Sequence, residues 1–301
     1  MKATVFAPGS VGNVGPGFDV LGLAIDGIGD TVTVELSHRA SVQVRGRDSA
    51  LLPKDPETNS ASIAAAAMLR RHRRSELAAV TVDKGLPASG GLGGSAASSV
   101  AGAYAAALAC GIEPSAEEIM LAALEGEAFV SGRHLDNIAP ITLGGLVLTR
   151  SIDPIEVVAL PVPQAWSVAL ITPRIRIETK RARSILPEMW DRTSWIQQMA
   201  NTSALIAAFA SADGRLARRA LDDLYAEPRR APLIPNFFAV KRAALESGAF
   251  GCSISGSGPT IFAIVDDLTR ETCVAAMSRA MADIEHETRM QPIARQGARP
   301  V

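Results

Sequence analysis

The chain has 301 residues, 48% hydrophobic but only 4% aromatic, and its 30 basic and 31 acidic side chains leave a formal charge of -1. That length leaves room for two lobes or one large α/β unit around a core of Ala, Leu, Val and Ile, and the composition excludes the disordered classes. Balanced charge excludes a general attraction to nucleic acid or to an anionic membrane, so an anionic ligand has to be held locally.

From the start, MKATVFAPGS carries one Lys and no apolar stretch, and no later run approaches the roughly 18 apolar residues of a membrane span, so neither a signal peptide nor a membrane anchor is expected. Alternating β-branched residues predict strands at 3–7, 31–36, 41–45 and 79–83. Helices are expected at 59–72 and 95–110. The basic run Arg70, Arg71, His72, Arg73, Arg74 closes the first of these, where cations complement the helix dipole, and it lacks the aromatics of a nucleic-acid footprint. Ser115-Ala-Glu-Glu118 is a capping box opening a helix that runs to about residue 130.

An apolar strand at 145–149 leads into SIDPIEVVALPVPQ, whose three prolines mark the expected division into an N-terminal unit, 1–160, and a C-terminal unit, 161–301. The pattern restarts at 166–172. Helices follow at 194–210, 215–224 and 236–247, then a Gly/Ser loop at 255–258, a strand at 260–265, a helix at 268–284 and a tail, QPIARQGARPV, that reads as frayed. Cys110, Cys252 and Cys273 have neither CxxC nor Cys/His spacing, which points away from zinc and disulfides and towards a reducing cytoplasm.

The segment Pro87-Ala88-Ser89-Gly90-Gly91-Leu92-Gly93-Gly94-Ser95-Ala96-Ala97 joins a strand to an Ala-rich helix. Glycines let the backbone approach a ligand, and the first helical turn leaves unpaired N–H groups at the positive end of its dipole, which suits phosphate. It is neither the GxxxxGK[ST] loop nor GxGxxG, and a plain turn with an N-cap serine is the alternative.

Pro-x-x-x-Gly-Leu-Gly-x-Ser-Ala-Ala resembles the phosphate loop of the superfamily containing galactokinase, homoserine kinase, mevalonate kinase and phosphomevalonate kinase, the GHMP kinases. Two further segments are similar to its other motifs: Ala7-Pro-Gly-Ser10 through Asn13 to Gly22, and Ile254-Ser-Gly256-Ser-Gly-Pro-Thr260. Its homoserine kinase branch is the one resembled by Glu127 through His134-Leu-Asp136-Asn137 to Pro140, by Thr179-Lys-Arg-Ala-Arg183 to Pro187 and by Glu227-Pro-Arg-Arg230. One departure is plain, since Gly94 stands where that branch usually has a serine.

The resemblance implies an α+β GHMP kinase fold, with an N-terminal domain like the second domain of ribosomal protein S5 and a ferredoxin-like C-terminal domain. It also implies phosphoryl transfer from ATP with Mg²⁺, the loop 87–97 on the phosphates, and Ser95 and Glu127 on the metal. Asp19 and Asn137 belong with Ser95 and Glu127 to the catalytic set. L-homoserine is the implied substrate, met by Asn13, Asp19, His134, Asp136, Thr179, Arg183, Arg230 and Gly256. A planar guanidinium grips a carboxylate bidentately, which suits Arg183 and Arg230 to an amino acid. A homodimer is the base-rate expectation. A mevalonate-type kinase and a non-catalytic metabolite sensor on the same fold remain as alternatives.

Overall fold

The computed structural model describes residues 1–130 and 132–301; Ser131, inside the motif from Glu127 to Pro140, lies outside them. Strands β1 (Lys2–Gly12) and β2 (Leu21–Ser37) pair antiparallel with Val5 opposite Val32, and the register shifts between Pro8 and Gly9. Strand β3 (Ser41–Gly46) runs parallel to β4 (Leu77–Lys84), which pairs with β2. Helix α1 (Ser60–Arg71) is capped by the Asn59 side chain, and α2 (Gly94–Ala109) leaves the glycine loop. Helix α3 (Ala116–Val130) opens with the expected capping box, Glu118 accepting from the Ser115 N–H and hydroxyl while Ser115 accepts from the Glu118 N–H.

Alanine-rich faces let these helices pack closely, and a Cβ on Gly126 would lie 2.5 Å from the Ser60 carbonyl oxygen, so only glycine fits where α3 crosses α1. Three side chains of the basic run at the end of α1 face acids, Arg70 on Glu125, Arg74 on Glu76 and His72 near Glu118.

Helix α4 (Ile138–Leu143) precedes β5 (Leu146–Ile152), which forms a hairpin with β6 (Ile155–Leu160). The proline-rich stretch is therefore not a linker throughout, because Pro154, Pro161 and Pro163 flank β6 instead of interrupting it. Strand β7 (Trp166–Pro173) then starts a second sheet. After it come α5 (Thr179–Ser184), α6 (Arg192–Ser211), α7 (Gly214–Ala220), α8 (Glu227–Arg230), α9 (Phe237–Glu246), β8 (Gly251–Ile254), β9 (Ile261–Asp266), α10 (Arg270–Ala280), β10 (His286–Pro292) and β11 (Arg299–Pro300). Short α5, α8 and β8 escape the sequence pattern, being too brief to show a period.

The second sheet has the order β10-β7-β9-β8. Its side chains alternate: Val168, Leu170, Phe262 and Ile264 face the large core shared with the first sheet, while Ala169, Ile171, Ala263 and Val265 face α9 and α10.

The C-terminal tail is ordered, contrary to the frayed end expected. Ile293 bridges Ile25, the Ala294 N–H donates to Ala24, and β11 pairs with β1. It covers the otherwise open edge of β1, which would present unpaired backbone groups. Within 161–301, then, the last residues hydrogen-bond into the first sheet.

Candidate functional site

A cleft of about 380 Å³ runs between the two sheets' ends and gathers residues from every motif singled out in the sequence. Its first wall is the glycine loop. Loop residues Pro87 to Gly91 and Gly93 to Ser95 line it, whereas Leu92, Ala96 and Ala97 do not. Those three side chains are buried in the core, and the Ala97 N–H is bonded to the Gly93 carbonyl, so the stretch that lines the cleft is shorter than 87–97. Gly93, at φ 67°, holds the N-cap position instead of a serine.

The third motif clamps this loop. The hydroxyls of Ser255 and Thr260 donate to the Gly91 and Gly90 carbonyls, each at 2.6 Å. Gly91 sits at φ 79°, and a Cβ there would come within 2.6 Å of the Ser255 carbonyl oxygen, so no other residue fits.

Beneath the loop, the Asp30 carboxylate is fully buried and accepts from the N–H groups of Gly85 and Leu86, from the Ser98 hydroxyl and from the Lys84 ammonium. Lys84 Nζ also donates to the Gly94 carbonyl at 2.9 Å. Neither residue was singled out in the sequence. The signal was present, since Lys84 follows Ala78, Val80 and Val82 on the inward register of β4, a position where a charge must find a partner.

Glu127 is 3% exposed, unlike the solvated glutamates usual on a helix surface. It reaches the start of α2, where the Ser95 hydroxyl donates to its Oε1 at 3.0 Å. A carboxylate and a hydroxyl at the mouth of a phosphate-type loop form an oxygen donor set of the kind magnesium takes.

The opposite wall is assembled from distant segments. Asn13, at φ 67°, donates its backbone N–H to Asp136 Oδ2 and its side-chain amide to the Gly256 carbonyl, and it accepts from the Asp19 N–H. Gln198 and Thr202 of α6 both donate to the Pro16 carbonyl and pin the same loop. Asp19 receives Arg183 bidentately, both contacts at 2.8 Å. Arg230, 3% exposed, donates to the carbonyls of Ala182 and Gly256.

The Phe18 ring lies 5.3 Å from both guanidinium carbons. It joins the two arginines into one cationic patch and is a cleft residue that the sequence reading passed over. Thr179 and Ser257 exchange a hydrogen bond of 3.3 Å at the rim. Burial and the nearby Arg183 lower the Arg230 pKa, whereas the hydrogen bond that Arg183 donates to Asp19 raises that of Arg183. Two cations held this close favour an anion between them.

His134 Nδ1 lies 2.7 Å from Asp136 Oδ1, and Asn137 bridges Asp136 to the Ser10 hydroxyl. Burial works to lower the His134 pKa, but the hydrogen bond and charge of Asp136, with Glu127 and Asp19 nearby, raise it to about 9. Burial likewise works to raise that of Asp136, and His134 overcomes it, leaving the carboxyl below its ordinary value. The pair is an imidazolium and a carboxylate at neutral pH.

Residues 59–145 match the GHMP kinases N terminal domain, and residues 205–283 match the GHMP kinases C terminal family. The chain is 40% identical to the homoserine kinase of Chloroherpeton thalassium over 99% of each chain. It is also 40% identical to the homoserine kinase of Xylella fastidiosa, over 99% of this chain and 94% of the other. The crystal structure of homoserine kinase from Cytophaga hutchinsonii superposes with a TM-score of 0.94 at 38% identity, covering 100% of this chain and 97% of that one. Mevalonate kinase of L. major, in complex with R-mevalonate, shares the fold at a TM-score of 0.71 and 14% identity, over 96% of this chain and 94% of that one.

Proposed function

The chain belongs to the homoserine kinases of the GHMP kinase family, and from that premise we propose that it phosphorylates the side-chain hydroxyl of L-homoserine through the cleft described above. It is an ATP-dependent small-molecule kinase. The observation that carries the residue assignment is that one cleft joins a glycine loop, with Ser95 on it and Glu127 of α3 beside it, to a patch bearing Asp19, Arg183 and Arg230.

In this reading backbone N–H groups of the cleft-lining loop residues between Ser89 and Ser95 take the β- and γ-phosphates, the Ala88 N–H being donated to Asp48. Ser95 and Glu127 hold Mg²⁺, which supplies charge neutralisation on the phosphate oxygens when bound. The substrate is a zwitterion. Its carboxylate goes to Arg183 and Arg230, and its ammonium group goes to Asp19, replacing the Asp19–Arg183 pair with two pairs of the same kind. Asn13 and the Gly256 loop set the position of Asp19, and His134 with Asp136, Asn137 and Thr179 completes the wall.

The hydroxyl oxygen attacks the γ-phosphorus, the bond to the β–γ bridging oxygen breaks, and the hydroxyl proton ends on a phosphate oxygen. Products are ADP and O-phospho-L-homoserine. Catalysis comes from in-line positioning and electrostatics, without a dedicated base.

The three cysteines carry no disulfide, which suits the reducing cytoplasm that belongs to this reading, together with a homodimer to be checked by light scattering. Among the described residues no helix is long and apolar enough to cross a membrane. A coupled ADP-release assay with L-homoserine, with and without magnesium, tests the function. Turnover of mevalonate in place of homoserine, or of neither, overturns it.

A further inference from the structure

Phosphoryl donors bring several negative charges into the glycine-loop half of the cleft, yet the loop itself offers backbone dipoles and the neutral hydroxyls of Ser89 and Ser95 but no cation. It has no lysine of its own, and Gly94 supplies no hydroxyl. Of the cationic side chains lining this cleft, His134, Arg183 and Arg230 belong to the opposite wall, which leaves two. Lys84 is nearly enclosed, and its ammonium is already committed to Asp30, the Gly94 carbonyl and the Ser98 hydroxyl. The other is Arg176, in the 174–178 segment between β7 and α5.

Three observations set Arg176 apart. First, it lines the main cleft and also a second cavity of about 370 Å³ on the far side of the loop, and Pro87, Ala88 and Gly90 line both as well. The side chain therefore stands at the ridge formed by the loop. Second, its backbone is anchored on both sides. Ile177 is buried in the smaller core and Ile175 packs against it, which leaves the residue between them projecting towards the cleft.

Third, the arginines around it are engaged: Arg174 pairs with Glu285, Arg47 bidentately with Glu287, and Arg183 with Asp19, while Arg230 donates to two carbonyls. Arg176 makes no side-chain hydrogen bond or ion pair among the described residues. Of the arginines that line the cleft, Arg183 and Arg230 have partners, and Arg176 is the uncommitted guanidinium, beside a phosphate-type loop.

We propose that Arg176 is a phosphate-binding residue that reaches from the C-terminal half over the glycine loop and holds the polyphosphate of the nucleotide. A guanidinium presents a planar fork to phosphate oxygens and keeps its charge at any working pH. In this role it supplies the charge that the loop lacks, and it links nucleotide occupancy to the segment leading into α5, which carries Thr179 and Arg183. The inference rests on the kinase reading for the identity of the nucleotide.

The experiment compares wild type, Arg176→Ala, Arg176→Lys and, as a control on a paired neighbour, Arg174→Ala. Calorimetry measures binding of magnesium-ATP, ADP, AMP and L-homoserine, and the ADP assay measures kcat and KM. Arg176→Ala weakens ATP at least about tenfold, the scale of a lost charged hydrogen bond, and leaves AMP and homoserine within about twofold. Lys restores part of the loss, and Arg174→Ala stays at wild-type values. Equal weakening of AMP and ATP, or an alanine variant that binds ATP as wild type does, overturns the proposal. Absence of homoserine turnover by the wild type overturns the functional reading instead, while the ATP-to-AMP comparison still decides Arg176.

Discussion

On the phosphate side of the cleft, Lys84 through Ser98 is a single stretch of chain held by backbone carbonyls, buried hydroxyls and one enclosed ion pair. On the substrate side, Asn13, Asp19, His134, Thr179, Arg183 and Arg230 come from separate segments and meet through side chains, several of them half-exposed. The first wall is a local structure stabilised from beneath; the second exists only once the two sheets have packed. Damage to the first should therefore appear as lost stability, and damage to the second as lost recognition.

The largest effect expected is on Lys84. Lys84→Met leaves the Asp30 carboxylate buried with its ammonium partner gone, at a cost of roughly 3–5 kcal/mol in urea unfolding. Adding Asp30→Asn should recover most of that. A single variant as stable as wild type would show that the loop does not depend on the pair.

His134 comes next and carries a pH signature. Its folded pKa, about 9, lies above the ordinary 6.5, so its contribution is complete below about pH 6.5 and fades as pH rises through 9. On the order of 3 kcal/mol is at stake, at about 1.4 kcal/mol per unit. Wild type should lose stability between about pH 6 and pH 9.5, and His134→Gln should flatten that slope. Parallel curves for the two proteins would remove His134 as the cause.

Alanine at Arg183 or Arg230 is expected to weaken homoserine by roughly 2–3 kcal/mol while leaving ATP binding in place, and lysine should rescue only in part. Loss of nucleotide affinity in either variant would blur the contrast between the walls. Glu127→Gln should lower kcat at least about tenfold, or 1.4 kcal/mol, through charge neutralisation on the phosphates. A magnesium titration restoring full turnover would argue for simple affinity loss.

Gly94→Ser should do least. A Cβ there meets Lys84 Nζ at 3.3 Å and the Pro87 carbonyl oxygen at 3.4 Å, close contacts rather than clashes, so stability should change by under about 1 kcal/mol and the KM for ATP by under about threefold. A large gain in ATP affinity would mean that the family's usual serine touches phosphate.

The capping box at Ser115, the helix that follows the glycine loop and the alternation of β4 before it were legible because each is a short-range pattern, set within a few residues by hydrogen bonds or burial. Family motifs extended that legibility to Glu127, Arg183 and Arg230. What no local pattern disclosed was the return of the tail to pair with β1, the strand inside the proline-rich stretch, or the convergence of Phe18 on two arginines more than 160 residues away.

By itself the sequence determined the two sheets' alternation, the position of the phosphate loop and the residue types at each motif, since periodicity and glycine content act locally. The tertiary structure alone decided which loop residues face the cleft, which cations are already spent on acids, and which arginine stands uncommitted at its rim. Those outcomes depend on distances between segments far apart in the chain, and a charge is free or paired only when every neighbour has taken its place.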